Sequence, residues 1–182
     1  MSALGHERTG NAPGKRIIGY MRLRPVLLLA VLCFSPGCAG LAGHADLPCI
    51  QTAHGCITVN PDVTRETIGQ TICVSGYTRS VRPSTSYTNA VKLKLLREAG
   101  IDAALIGQYE LDHIIPLAVG GHPRNPSNLM LQPWDGEQGA HRKDVLERRL
   151  QGMVCRREIP LLDAQRCIAE DWIACNAKLG VR

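Results

Sequence analysis

The sequence predicts a small α+β domain with flanking helices, stapled by disulfides and preceded by a removable leader. Three observations carry that expectation. Residues 109–151 read as strand, loop, strand, helix; six cysteines, an even number, lie beyond residue 45; and residues 21–45 run basic, then apolar, then small. A chain of 182 residues allows one domain, or one domain with appendages. The expected division is a leader over 1–45, an N-terminal arm and helix over 46–105, and a core with a C-terminal helix over 106–182.

The leader comes first. Met21-Arg22-Leu23-Arg24-Pro25 is a basic run and Val26 to Phe34 is unbroken apolar, after which Pro36-Gly37 breaks any helix and small residues follow. That order is a secretory signal peptide, and the apolar run is too short to span a bilayer, which takes roughly 20 residues. Residues 1–20 lack a hydrophobic pattern and read as an upstream extension, with Met21 as the start of the signal. Cys38 has Ser35 rather than an aliphatic residue three positions before it, so cleavage between Gly40 and Ala45 is expected instead of a lipid anchor. The mature protein is then secreted or periplasmic, with no stable membrane association.

Charge narrows the function less than it first suggests. The chain holds 21 Lys and Arg against 16 Asp and Glu. Residues 1–45 contain five of those bases and only Glu7 among the acids, so nearly all of the surplus leaves with the leader. Bulk charge therefore does not argue for nucleic acid, and a phosphate-binding surface must be local. Cys33 and Cys38 also leave. Cys49, Cys56, Cys73, Cys155, Cys167 and Cys175 remain, and in an exported chain they read as disulfides, with every pairing open. A zinc knuckle needs close C-x-x-C pairs, which this sequence lacks.

Along the mature chain, residues 46–62 are rich in turn formers and are expected to form an irregular arm. Residues 64–70 suit one or two helical turns, and 71–76 (T-I-C-V-S-G) a short strand. After the loop at Arg82-Pro83-Ser84, residues 86–99 read as a helix with Ala90, Val91, Leu93, Leu95 and Leu96 at helical spacing, stopped by Gly100. Residues 109–117 are an apolar run whose far end Pro116 demotes as a strand. Gly120-Gly121 and 123–127 form a loop, and Asn128 opens the strand 129–132, ended by Pro133. Residues 139–151 form a helix with Val145, Leu146, Leu150 and Met153 inward. A last helix over 160–177 turns Leu162, Ala164, Ile168 and Trp172 inward. Trp134 and Trp172 read as core residues rather than base-stacking platforms, and His54 and His122 as solvated loop residues.

The chemistry sits where Asp112-His113 interrupts the apolar strand, because a charge buried there is costly without a partner or a metal. Arg142, Lys143, Arg148 and Arg149 cluster on the following helix and are the best local phosphate-binding surface, giving sequence-independent affinity. The bland reading of that cluster is a solvated face paired in part with Asp144 and Glu147. No base-reading motif is visible, so low sequence specificity is expected.

The string Y-E-L-D-H-I-I-P-L-A-V-G-G-H-P-R-N-P-S-N-L-M-L-Q-P-W resembles the HNH (ββα-metal) endonuclease motif. The flanking T-I-C-V-S-G, V-R-P, K-D-V-L-E and A-Q-R-C-I-A-E-D-W segments are similar to a group of exported bacterial HNH-motif proteins. The resemblance covers residues 107–150 and implies a ββα-metal core. It implies His113 as the general base that activates water, Asp112 as ligand to one divalent cation (Mg²⁺, Mn²⁺, Ni²⁺ or Zn²⁺), and Asn128 as the residue orienting His113. It implies His141 on the helix as second metal ligand. In many members of that family the last ligand falls at the position of Glu137, so Glu137, Asp144 and a site that has lost its metal remain alternatives. The implied activity is low-specificity hydrolysis of phosphodiester bonds in DNA, with RNA open. The alternatives are a non-catalytic HNH-like domain that binds a cell-envelope or protein partner, and a disulfide-rich structural or inhibitor domain. Neighbouring strand residues point to opposite faces, so Asp112 and His113 share a site only if the strand bends or ends there.

Overall fold

A computed structural model describes residues 47–180; the expected leader lies outside the described residues. The described residues fold as an α+β domain tied by three disulfides, Cys49–Cys56, Cys73–Cys155 and Cys167–Cys175. Two separate two-stranded antiparallel sheets are joined by helices.

The expected irregular arm is instead a hairpin, β1 (Cys49–Thr52) and β2 (Gly55–Thr58). Gly55 takes φ +114°, which an L side chain rarely adopts, and Thr52 Oγ1 donates to the Gly55 carbonyl across the turn. Ile50 pairs with Ile57 in register and both are buried. That inward pair is the amphipathic signal which the surrounding turn formers mask. Residues 71–76, expected as a strand, make turns, with Val74 N–H donating to the Thr71 carbonyl. Among the described residues no strand pairs with them; Ile72 is buried and Cys73 is tied to Cys155, so packing and a covalent link hold the segment in place of a ladder.

A short helix α1 (Tyr77–Val81) leads to α2 (Thr85–Glu98), where Ser84 Oγ accepts from Tyr87 N–H as N-cap and Gly100 ends the helix in the left-handed region. Within α2 only Leu96 is fully buried, and Leu93 faces solvent. Strands β3 (Tyr109–His113) and β4 (Leu129–Pro133) pair antiparallel, with Asp112 opposite Met130 and His113 opposite Leu129. Helix α3 (Ala140–Cys155) follows, burying Leu146, Leu150 and Val154. Helix α4 (Leu161–Lys178) buries Ala164 and Ile168, leaves Trp172 half-buried and turns Leu162 outward. It kinks at Asp171, whose carboxylate re-caps the chain by accepting from Ile173 and Ala174 N–H. Ile50, Ile72, Leu146 and Ile168 belong to one buried cluster, so residues 46–105 and 106–182 share a single core.

The loop between β3 and β4 is clamped from both sides. Asn60 N–H donates to the Gly120 carbonyl and His122 N–H to the Thr58 carbonyl, bringing the end of the first hairpin against Gly120-Gly121. A Cβ on Gly121 would overlap the Ile115 carbonyl and stand 2.7 Å from Asn128 Nδ2. Both neighbours are fixed, so Gly121→Ala is expected to cost about 2–3 kcal/mol. Urea unfolding checks this; a loss within about 0.5 kcal/mol, the range of an ordinary surface substitution, would show that the loop yields.

Candidate active site

Strand β3 ends at His113, and that end lets two neighbours on a chain share one place. Asp112 and His113 both line a polar cleft of about 210 Å³ between the end of β3, the α1–α2 turn and α3. Arg82, Glu110, Asp144, Glu147 and Arg148 line it with them. A larger cavity of about 620 Å³ lies between residues 63–68 and the α3–α4 connection. It is mostly apolar, and its only charged groups are Arg65 and Arg157. The titratable side chains gather in the small cleft.

His113 is held by one firm contact. Its Nε2 lies 3.1 Å from the Pro123 carbonyl oxygen, which can only accept, so Nε2 carries the proton and Nδ1 keeps its lone pair. Burial drives the imidazole pKa below its ordinary value, helped by the nearby Lys143 and Arg82 charges and opposed by the Pro123 bond and Asp112. At neutral pH the ring is therefore a neutral base.

Asn128 acts at one remove from the imidazole it was expected to orient. Fully buried, it accepts from Ile115 N–H at 2.8 Å and donates from Nδ2 to the carbonyls of Ile115 (2.9 Å) and His122 (3.0 Å). All of its bonds go to backbone. It fixes the loop, and the loop presents the Pro123 carbonyl to His113. His122 has a structural task too, its Nδ1 accepting from Arg124 and Asn125 N–H.

Lys143 departs most from the sequence reading. Expected on a solvated phosphate-binding face, it is 1% exposed. Its ammonium donates to Asp112 Oδ2 at 2.8 Å, to Glu147 Oε1 at 2.7 Å and to the His113 carbonyl at 2.7 Å. An ammonium has three N–H groups, so none is left for a phosphate. Arg142, Arg148 and Arg149 do face solvent, and Arg148 reaches the cleft.

The helix that buries Lys143 turns His141 away. At 3.6 residues per turn, positions two apart differ by about 200°. His141 is exposed, stacks on the half-buried Trp134 with ring centroids 5.3 Å apart, and has Asp135 3.9 Å from its Nε2. Trp134 is thus a partner for His141 rather than a core residue. Glu137 is exposed and does not line the cleft; Asp144 does. Asp112, for its part, gives Oδ2 to Lys143 and Oδ1 to the His113 N–H. Among the described residues no cluster of three or more His, Cys, Asp or Glu side chains is arranged to hold a metal. The pair Asp112 and His141 therefore does not fit the divalent cation that the resemblance implied.

Glu110 and Arg82 were missed. Residues 110 and 112 share a face of β3 by the period of two, which is the signal that could have found Glu110. Burial, then the charges of Asp112, Asp144 and Glu147, push the Glu110 pKa up to about 7. The folded-state value exceeds the ordinary 4.5, so this group favours the fold below pH 4.5 and that advantage is lost as pH rises through about 7. Glu110→Gln is expected to raise Tm at pH 8 by more than at pH 5. Thermal unfolding at the two pH values measures it, and equal shifts would contradict the assignment.

No match to this chain is found among protein-family models, curated proteins or solved structures.

Proposed function

We propose that the protein is an exported endonuclease of the HNH type that hydrolyses phosphodiester bonds of DNA, with RNA open, at the cleft of Asp112 and His113. The observation that carries this reading is the His113 imidazole, neutral by burial, with its Nε2 proton committed to the Pro123 carbonyl and Nδ1 left basic. Such a ring takes a proton from water as water attacks phosphorus. The β3–β4 pair followed by α3, with a Gly-Gly loop closed by Asn128, supports the ββα part of the proposal. Three disulfides suit an oxidising compartment, which supports a secreted or periplasmic location.

Within the cleft, Arg82 and Arg148 are the charges for a phosphate, since Lys143 is saturated. Glu110, whose pKa is held up at about 7 by burial and by the neighbouring carboxylates, is the acid for the leaving oxygen. Four carboxylates line the cleft beside these two arginines. That excess would repel a phosphate arriving alone, so the test includes divalent cations.

Nicking of supercoiled plasmid by the purified protein tests the proposal, with Mg²⁺, Mn²⁺, Ni²⁺ or Zn²⁺ and with chelator. Nicking is expected, and His113→Ala should reduce it by about 100-fold or more while the protein stays folded. Intact plasmid under every condition would favour the alternative, a non-catalytic domain that binds a cell-envelope or protein partner.

A further inference from the structure

The Lys143 ammonium stands where three oxygens converge. Two are carboxylate oxygens, Asp112 Oδ2 and Glu147 Oε1, and the third is the His113 carbonyl, all within 2.7–2.8 Å of Nζ. Carboxylates plus a backbone carbonyl are the donor set of a hard cation such as Ca²⁺ or Mn²⁺. The elements that carry these oxygens are held by contacts other than the lysine. Asp112 and the His113 carbonyl come from the end of β3, and Glu147 comes from α3, whose stripe Leu146, Leu150 and Val154 is packed in the core.

We propose that Lys143 is a tethered cation occupying a divalent-cation site formed by Asp112, Glu147 and the His113 carbonyl, and that removing its ammonium opens that site to Mn²⁺ or Ca²⁺. Charge balance points the same way. One ammonium faces two carboxylates, with Glu110 and Asp144 lining the same cleft, so a divalent ion matches the local charge better than the monovalent group it replaces. Metal–oxygen distances run about 2.0–2.6 Å, so the three oxygens need close in by only a few tenths of an ångström. Truncation to Ala also removes the stem and leaves room for water ligands. The inference concerns what holds Asp112, and it stands whether or not the cleft hydrolyses phosphodiesters.

The experiment titrates MnCl₂ into the purified protein, into Lys143→Ala and into Lys143→Ala/Asp112→Asn, reading free Mn²⁺ by its EPR signal. Thermal unfolding is run in parallel with and without Mn²⁺ or Ca²⁺. Lys143→Ala should bind one Mn²⁺ about tenfold or more tightly than the parent. It should gain Tm on adding either ion, and the double variant should lose both effects. If Lys143→Ala is unfolded without metal, recovery of its circular dichroism on adding Mn²⁺ or Ca²⁺, absent in the double variant, supports the proposal equally; no recovery overturns it. Folded Lys143→Ala that binds Mn²⁺ no better than the parent also overturns it. So does a parent protein that binds one Mn²⁺ in a way that Asp112→Asn alone abolishes.

Discussion

Replacing Lys143 by Met is expected to lower the unfolding free energy by about 3–5 kcal/mol at pH 7 without divalent cations. The substitution keeps most of the apolar stem and deletes only the ammonium, so the loss reports the charge. Asp112 and Glu147 would be left facing each other with no cation between them. Burial alone pulls the Lys143 pKa down, but the two carboxylates and their hydrogen bonds pull it up further, so it lies above 10.5 in the folded protein. A folded-state pKa above the unfolded value means that this contribution is complete below pH 10.5 and fades only as the solution becomes more alkaline. One ammonium cannot satisfy two half-buried acids, and Glu147 accordingly sits above its ordinary range, raised by burial and by Asp112 against the pull of Lys143. Adding Glu147→Leu to Lys143→Met should recover part of the loss, because removing both charges is less harmful than stranding one. Urea unfolding of the three proteins measures this. A Lys143→Met variant within about 1 kcal/mol of the parent would mean that water replaces the ammonium at no cost.

Asn128→Ala is expected to lose about 3 kcal/mol or more. It strands the Ile115 N–H and the carbonyls of Ile115 and His122, and each buried unpaired group costs about 1–3 kcal/mol. Asn128→Asp discriminates this account from simple loss of volume. The aspartate can still accept from Ile115 N–H, but it presents an oxygen to two carbonyls that can only accept. It should therefore destabilise about as much as Ala, although its shape is nearly that of Asn. In both variants the loop that presents the Pro123 carbonyl loosens, and the proposed nicking should fall even at low temperature, where the weakened fold persists. A stable Asn128→Asp would mean that the amide bonds to the two carbonyls contribute little.

Much of the fold was legible where a period and a stop signal coincide. The helix over 85–98, stopped by Gly100, and the strands over 109–113 and 129–133, with Pro116 and Pro133 beyond or at their ends, carry such pairs, while the helices over 140–155 and 161–178 were legible from their apolar spacing. The first hairpin was not legible, because four-residue strands hold only one inward isoleucine each and depend on the core to pair them. Residues 71–76 carry β-branched side chains yet make turns, since a strand needs a partner for its backbone and no strand among the described residues pairs with them. At the site, Asp112 and His113 stood out because a polar residue inside an apolar run must be compensated, whereas Asn128 was marked only by the HNH resemblance. Lys143 was grouped with its basic neighbours, although its spacing to Leu146, Leu150 and Val154 (three, four and four) already puts it on the buried stripe. The same periodicity turns His141 outward. Arg82 reaches the cleft through the turn after α1, a tertiary placement for which no local pattern exists.

The tautomer and titration of His113, read by NMR on protein with ¹⁵N-labelled histidine, test the account most directly. A proton on Nε2, an unprotonated Nδ1 at pH 7, and a titration midpoint below 6.5 are the expected result. A ring protonated on Nδ1, or an imidazolium that persists above pH 6.5, would contradict it and remove the base from the cleft.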